Sequence, residues 1–515
     1  MPAPAQFSAA TRPWIQTRTG TRYQDVGLYD LLCRAHTIED LAVPVPPAAS
    51  AVLRIAVALT ARLTGLDDPD LDAEQWNRLR NHYLTRVGRL PTEAADRYFS
   101  AHHFEVFDPV RPWLQDPALA HQCPAPTGLN TLIVGRPAGN NLAWLAPHTD
   151  DDPHPVPTGQ ALQHLLVHHY YGRSGGHTAR TAGTVSSHYA RSGPLRGTVS
   201  FHPLGRTLFE TLLAGIPKLT GEQTAQDLLP WEEPDPPDPL AAPAQVTWPG
   251  RQLLGHASHA VLLVPADNGT SVTDAYLTWA TCHQAPTSTD PYVIVHTDPA
   301  RPLERRRSLR RADIDRAWWR DLDALLLAPD ETRRHRRPAV FDTLGDLPEP
   351  LRSRLRVRVH GFDQDTKTID HQWYTALTPA LLDWAQEHDP VRAQRIAECC
   401  QGAELAARRL AQAADQAWEA ATVPGGGSGG GQRRTSTWAR RARALYWPLA
   451  RMTFWRLLEQ TDTDVHTAFM QAAVSALAGA TRADRARHAA APRALAHATR
   501  TLRRPPAPTT RRSTP

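Results

Sequence analysis

Three stretches of this 515-residue chain combine residue types suited to gripping a nucleic acid. The first is Gly139-Asn140-Asn141-Leu142-Ala143-Trp144. The amides of Asn140 and Asn141 can donate and accept toward base edges or phosphates, and the Trp144 indole can stack or wedge. A turn that tucks Trp144 into the core would have the same local sequence. The second is Gly172-Arg173-Ser174-Gly175-Gly176. Gly172, Gly175 and Gly176 let the backbone approach another molecule, and exposed amides can bond phosphate or a groove. A flexible connector has the same composition. The third runs from Gly361 to Ile369 and holds Gln364, Thr366 and Lys367. A polar tip of this kind could enter a groove, and it would serve equally as an interdomain hinge.

Charge adds a fourth signal. From Arg433 to the end there are 16 Lys or Arg and 4 Asp or Glu, a balance of +12 in a chain of net +5, so the remainder carries −7. Arg433, Arg434, Arg440 and Arg441 open this stretch on a segment with helical spacing. A mildly acidic body with a basic helical end suits a polyanion partner, nucleic acid first. A solvated helix face reads the same way on charge alone. Immediately upstream, residues 425–431 are G-G-G-S-G-G-G, a tether without preferred dihedrals.

Catalytic signatures do not assemble. The sequence has no G-x-x-x-x-G-K-[ST] phosphate loop and no H-E-x-x-H. His388-Asp389 is an isolated dipeptide. His102-His103, His168-His169 and Cys282-His283 read as ordinary surface or partly buried side chains in a chain with 24 histidines. The five cysteines form no C-x-x-C pair, so neither a disulfide framework nor a cysteine zinc site is expected. No metal or other cofactor is expected, and a reduced, cytoplasmic setting fits. Residues 1–14 lack the features of a signal peptide, and no apolar run approaches the ~20 residues of a membrane span, so no membrane partner is expected.

The elements that would carry these stretches are legible from periodicity. Strand character surrounds Trp14 and Ile15, a helix covers Leu28–Arg34, and Ala48–Leu63 has i, i+3, i+4 apolar spacing. Asp70–Arg89, Leu162–Tyr171, Leu204–Leu213 and Asp313–Leu327 read as helices. Residues 124–160, with Asp150, Asp151 and Asp152, read as a long loop, and 172–198 as Gly-, Ser- and Arg-rich. Pro230–Pro243 reads as an extended surface connector. Val246–Trp248, Ala260–Val264 and Tyr292–His296 have strand patterns. Four helices are expected over Trp373–Gln386, Pro390–Ala421, Arg433–Gln460 and Asp464–Leu502, the third burying Trp438, Ala442, Leu445, Leu449 and Met452, with a kink at Pro448. The fold expected is therefore α+β: a mixed α/β domain over 1–368, a four-helix bundle over 369–504 and a disordered tail over 505–515.

Several segments together resemble a known family, CasA, the large subunit of the type I-E CRISPR surveillance complex Cascade. They are F-S-A-A-T-R-P-W at 7–14, F-E-V-F-D-P-V-R-P-W at 104–113, G-N-N-L-A-W at 139–144 and L-R-G-T-V-S-F-H-P at 195–203. Leu229-Pro230-Trp231-Glu232, Thr247-Trp248-Pro249-Gly250-Arg251 and G-F-D-Q-D-T-K at 361–367 follow in order. The resemblance implies a non-catalytic subunit that joins crRNA-containing Cascade subunits and binds double-stranded target DNA. It would read the short adjacent motif (the PAM), help part the strands toward an R-loop and recruit a CRISPR helicase-nuclease. Guide pairing would read the rest of the target. It also implies a guide-contacting loop around Asn140–Trp144, a glycine loop at Gly172–Gly176 facing the minor groove, and a strand-parting wedge within 363–368. The family's wedge is typically glutamine. Ungapped register puts Thr366 there, with Gln364 two residues earlier and Lys367 next. The family's PAM-contacting lysine has no counterpart, since residues 276–283 hold no Lys or Arg. Two other classes stay open: a protein-interaction scaffold without sequence readout, and a metal-dependent nuclease using the scattered histidines.

Overall fold

The computed structural model describes residues 5–138, 147–148, 154–218, 227–244, 246–250, 258–284, 290–298, 300–302, 306–330, 334–422 and 435–504. Asn140, Asn141, Trp144, the acidic triplet, the Gly/Ser run, Arg433, Arg434 and the tail from Pro505 lie outside the described residues. The chain forms two compact units, the first from residues 1–318 and 328–383, the second from Trp319–Leu327 and Trp384–Pro515.

The first unit is mixed. Strands β1 (Ile15–Thr19) and β2 (Arg22–Val26) make a hairpin joined by β3 (Asp40–Leu41), with α1 (Leu28–Cys33) between them. Helix α2 (Pro46–Thr64) is buried on nearly every face. Its prolines at the first turn and Gly65 in the left-handed region (φ 72°) mark its ends. It is the one described helix with the length and hydropathy of a membrane span, closer to that limit than the sequence suggests, and its apolar face is spent on the core, with 94% of it buried. Arg54 crosses this core fully buried, paired with Asp290 at 2.8 Å and stacked near Tyr170 and Tyr292. Helices α3 (Ala73–His82), capped by Asp72 and Gln75, and α4 (Thr92–Ala101) follow, then the short α5 (Leu119–Gln122) and α6 (Leu129–Leu132).

The sheets carry the site. Strand β4 (Val156–Pro157) leads into α7 (Thr158–Tyr171), then a hairpin of β5 (Gly175–Ala182) and β6 (Val185–Ala190), then β7 (Val199–Leu204) and α8 (Leu208–Ala214). Strands β8 (His259–Pro265) and β9 (Ser271–Trp279) pair antiparallel with β4 at the edge. Small strands β10 (Val295–Thr297), β11 (Arg307–Leu309) and β12 (His335–Arg336) make a third sheet. Strands β13 (Arg356–Gln364) and β14 (Asp370–Leu377) form a long hairpin, with β7 on the other side of β13.

Five expectations are corrected here. Residues 175–190 are a hairpin, not an open connector, because Ala182 and Ala190 pack with Trp279 while polar residues face outward. Leu204 ends a strand and the helix begins only at Leu208, after Gly205. Val246–Trp248 is not a strand; it is an irregular segment that runs into Pro249. Asp313–Leu327 shortens to a 3-10 turn at Trp318–Asp321 and α9 (Leu322–Leu326). Trp373–Gln386 is not a helix. Its first residues extend β14, since Trp373 packs on Phe362 across the hairpin (ring centroids 5.8 Å).

The short α10 (Glu349–Arg352) belongs to the first unit. In the second unit α11 (Pro390–Thr422), α12 (Thr437–Glu459), α13 (Val465–Thr481) and α14 (Ala491–Arg503) make four helices, so the segment read as one helix from Asp464 is two. On α11 an apolar stripe from Ile396 to Ala417 is buried. On α12 the buried row is instead Trp438, Ala442, Tyr446, Ala450 and Phe454, while Leu445 is 45% and Met452 71% exposed. A row spaced by four is one of the ridges along which helices interlock, and the aromatic volumes lie on it.

Candidate nucleic-acid interface

Two of the three sequence-predicted stretches meet. Helix α7 ends at Tyr171, and the glycine segment turns from it into β5. Between β13 and β14 the tip is a tight turn organised by Asp365. Its Oδ1 accepts from the backbone N–H of Lys367 and of Ile369, each at 2.8 Å. Burial would push this carboxyl up, but the backbone donors hold it below the ordinary carboxylate range. The Lys367 carbonyl then accepts from Ser174 twice, from its N–H at 2.9 Å and its Oγ at 3.1 Å. The Thr366 carbonyl accepts from Ser192 Oγ at 3.2 Å. Arg196, nearly buried, donates to the carbonyls of Asp365 and Ile369 and pairs with Asp370 at 3.0 Å.

Gln364 does not present a side chain to a partner. It is 3% exposed, its Oε1 accepting from Gly197 N–H at 2.9 Å and its Nε2 donating to Tyr171 O and Asp370 Oδ1. A strand end needs its buried polar groups satisfied, and this amide does that for two neighbouring segments. The exposed positions at the tip are Thr366, Lys367 and Ile369. In the glycine segment Gly176 is exposed and Gly175 half-buried, whereas Gly172 is buried. A Cβ at Gly172 would lie 2.5 Å from the His259 ring, so this glycine is required by packing. Gly175 has φ +114°, a conformation that L side chains rarely adopt.

A layer of histidines supports the segment from below. His259 Nε2 donates to the Arg173 carbonyl at 2.8 Å and His177 Nε2 to the same oxygen at 3.3 Å. His168 Nε2 donates to Leu132 O. Burial pushes all three down, His168 to about 4, His177 to about 3 and His259 well below its ordinary value, with neighbouring histidines adding to it. Their second ring nitrogens have no hydrogen-bond partner. Among the described residues no group of three or more His, Cys, Asp or Glu is placed to hold a metal.

The far end of the hairpin is fixed by Arg180, fully buried, which pairs with Asp116 at 2.7 Å and donates to Trp279 O. Sequence reading missed Arg180, Arg196, Asp365 and the histidine support. Arginines that fall inside a strand pattern were the available signal. In the second unit Arg440 is exposed at the first turn of α12 and Arg441 pairs with Asp484 at 3.0 Å while remaining 55% exposed. Asp484 also accepts from Trp438 Nε1 and pairs with Arg487.

Compared with known proteins, the chain matches the family model of CRISPR-associated protein Cse1 over residues 10–490. A CasA/Cse1 protein of Thermus thermophilus is 27% identical over 423 residues, 79% of this chain and 78% of the relative. A chain solved in a CRISPR RNA-guided surveillance complex superposes with TM-score 0.84 at 37% identity, over 97% of this chain and 100% of that one. Cse1 of Thermobifida fusca, at TM-score 0.73 and 19% identity over 96% and 97% of the two chains, shares the fold.

Proposed function

Because this chain belongs to the CRISPR-associated Cse1 family, we propose that it is the non-catalytic large subunit of a type I-E RNA-guided surveillance complex. In that role it reads the PAM in double-stranded DNA, helps open the duplex into an R-loop, and recruits the helicase-nuclease. Guide RNA pairing reads the remaining target sequence. One observation carries this reading: the glycine segment and the β13–β14 tip are bonded into one ridge with Gly175, Gly176, Thr366 and Lys367 at its surface. Exposed backbone can follow a groove, Lys367 can meet phosphate, and the exposure of Thr366 and Lys367 supports reading this tip as the wedge. Asn140, Asn141 and Trp144 are proposed to contact the guide-bearing subunits, and Arg433, Arg434, Arg440 and Arg441 the DNA backbone. The setting proposed is the cytoplasm.

The test is binding of labelled duplexes to the reconstituted complex with and without this chain, scanning the base pairs beside the target. The expected result is a preference at those positions that needs the chain and is weakened by Gly175→Ala or Thr366→Ala/Lys367→Ala. A preference that persists without the chain would put the scaffold reading in its place.

A further inference from the structure

Beside the ridge lies a groove of about 480 Å³, whose walls include Asn130, Arg136, Arg173, Phe362, His371 and Trp373. We propose that it receives one unstacked DNA nucleotide, base against Trp373 and phosphate toward Arg136 and Arg173. This rests on the reading above, because strand parting at the ridge is what would supply an unpaired nucleotide there.

The groove has the size of small-ligand clefts, which span roughly 300–1,000 Å³. Its aromatic wall is held in place: Trp373 packs edge-on to Phe362, with rings 69° apart. Gly135 borders the indole so closely that a Cβ there would be 3.4 Å from it, and its φ of +98° favours glycine. The next residue, Arg136, donates from Nη1, among the described residues, to Asn130 Oδ1 and His154 O. Its guanidinium is partly desolvated, which weighs against its charge. Arg173 is in the same condition, with burial lowering its affinity for the proton and Asp370 partly restoring it. An anion delivered to the groove would relieve both. The carboxylates nearby are already engaged, Asp370 by Arg196 and Gln364, and Asp363 by His371. Two cations, an aromatic wall and amide groups form the combination that binds single-stranded nucleic acid: stacking for the base and charge for the backbone. The groove also shares Gly172, Gln364 and Ile369 with the ridge, so a base displaced at the tip has a short path into it.

The experiment uses the full chain and a DNA hexanucleotide with one 2-aminopurine, whose fluorescence falls when it stacks on indole. Quenching should be saturable, and Trp373→Leu should abolish most of it and weaken binding about tenfold, within the range of one lost stack. Arg173→Gln and Arg136→Gln, which leave the hairpin core alone, should each weaken binding and reduce the salt slope by about 0.7. Unchanged quenching and slope in all three variants would overturn the proposal, and tighter binding of the RNA hexanucleotide would overturn its assignment to DNA. The adjacent-motif preference of the complex is measured in parallel. A kept preference with groove-independent quenching removes the groove alone. A lost preference with groove-dependent quenching removes the PAM reading alone.

Discussion

His168, His177 and His259 show how far a residue's meaning depends on what surrounds it. In the sequence, His168-His169 reads as an ordinary surface or partly buried pair. In the fold His168, His177 and His259 each donate one N–H to a carbonyl and remain neutral. The sign of their pH effect follows. Their folded pKa values lie below the ordinary value of about 6.5, so below that pH the unfolded chain binds more protons. Their contribution is fully present above about pH 6.5 and is lost as pH falls toward the folded values. Each can contribute up to about 1.4 kcal/mol per pH unit in that window. Denaturant midpoints should therefore fall from pH 7.5 to pH 5. His168→Gln, which keeps a donor for Leu132 O, should make the fall shallower. An equal fall in the variant would mean that His168 protonates without opening the fold.

At the scale of elements, the glycine segment is bonded to the β13–β14 tip through Ser174, and Ser192 and Arg196 bond to the same tip. The three glycines of the segment have different reasons to be glycine. Gly175→Ala should cost roughly 1–2 kcal/mol, because φ +114° strains any L side chain. Gly176→Ala should stay within about 0.5 kcal/mol, since its Cβ would make only ordinary contact with His188 at 3.6 Å. Gln364→Ala should cost roughly 1–3 kcal/mol by stranding the Gly197 N–H and the Tyr171 carbonyl. Urea unfolding curves of the three variants check the ranking, and equal losses at Gly175 and Gly176 would contradict the backbone account. The hairpin escaped sequence reading because β14 reads D-H-Q-W-Y-T-A-L, without the apolar/polar alternation that marks a strand, and in isolation Trp373–Gln386 has helix-compatible spacing. Long helices such as α2 and α11 were legible because a single apolar period runs through them.

For the whole molecule the governing quantity is charge. The basic C-terminal stretch sits on helices whose apolar rows are buried, leaving Arg440 and Arg441 at the surface. If they grip DNA backbone, Arg440→Ala with Arg441→Ala should lower the slope of log affinity against log salt by about 0.9 per phosphate contact removed. Asp484 retains Arg487 and the Trp438 indole, so the bundle should keep its melting temperature within a few degrees. An unchanged slope would mark these arginines as a solvated face.

Family membership, the α+β class and the helical C-terminal region were determined by the sequence alone, because ordered short segments and apolar periodicity are local properties of the chain. The tertiary structure alone decided that residues 172–176 and 364–369 form one ridge, that Gln364 is buried within it, and that Arg136, Arg173 and Trp373 share a groove. Those outcomes depend on hydrogen bonds and burial between residues far apart in sequence, such as Ser174 and Lys367, and no local pattern encodes which distant polar group will satisfy which.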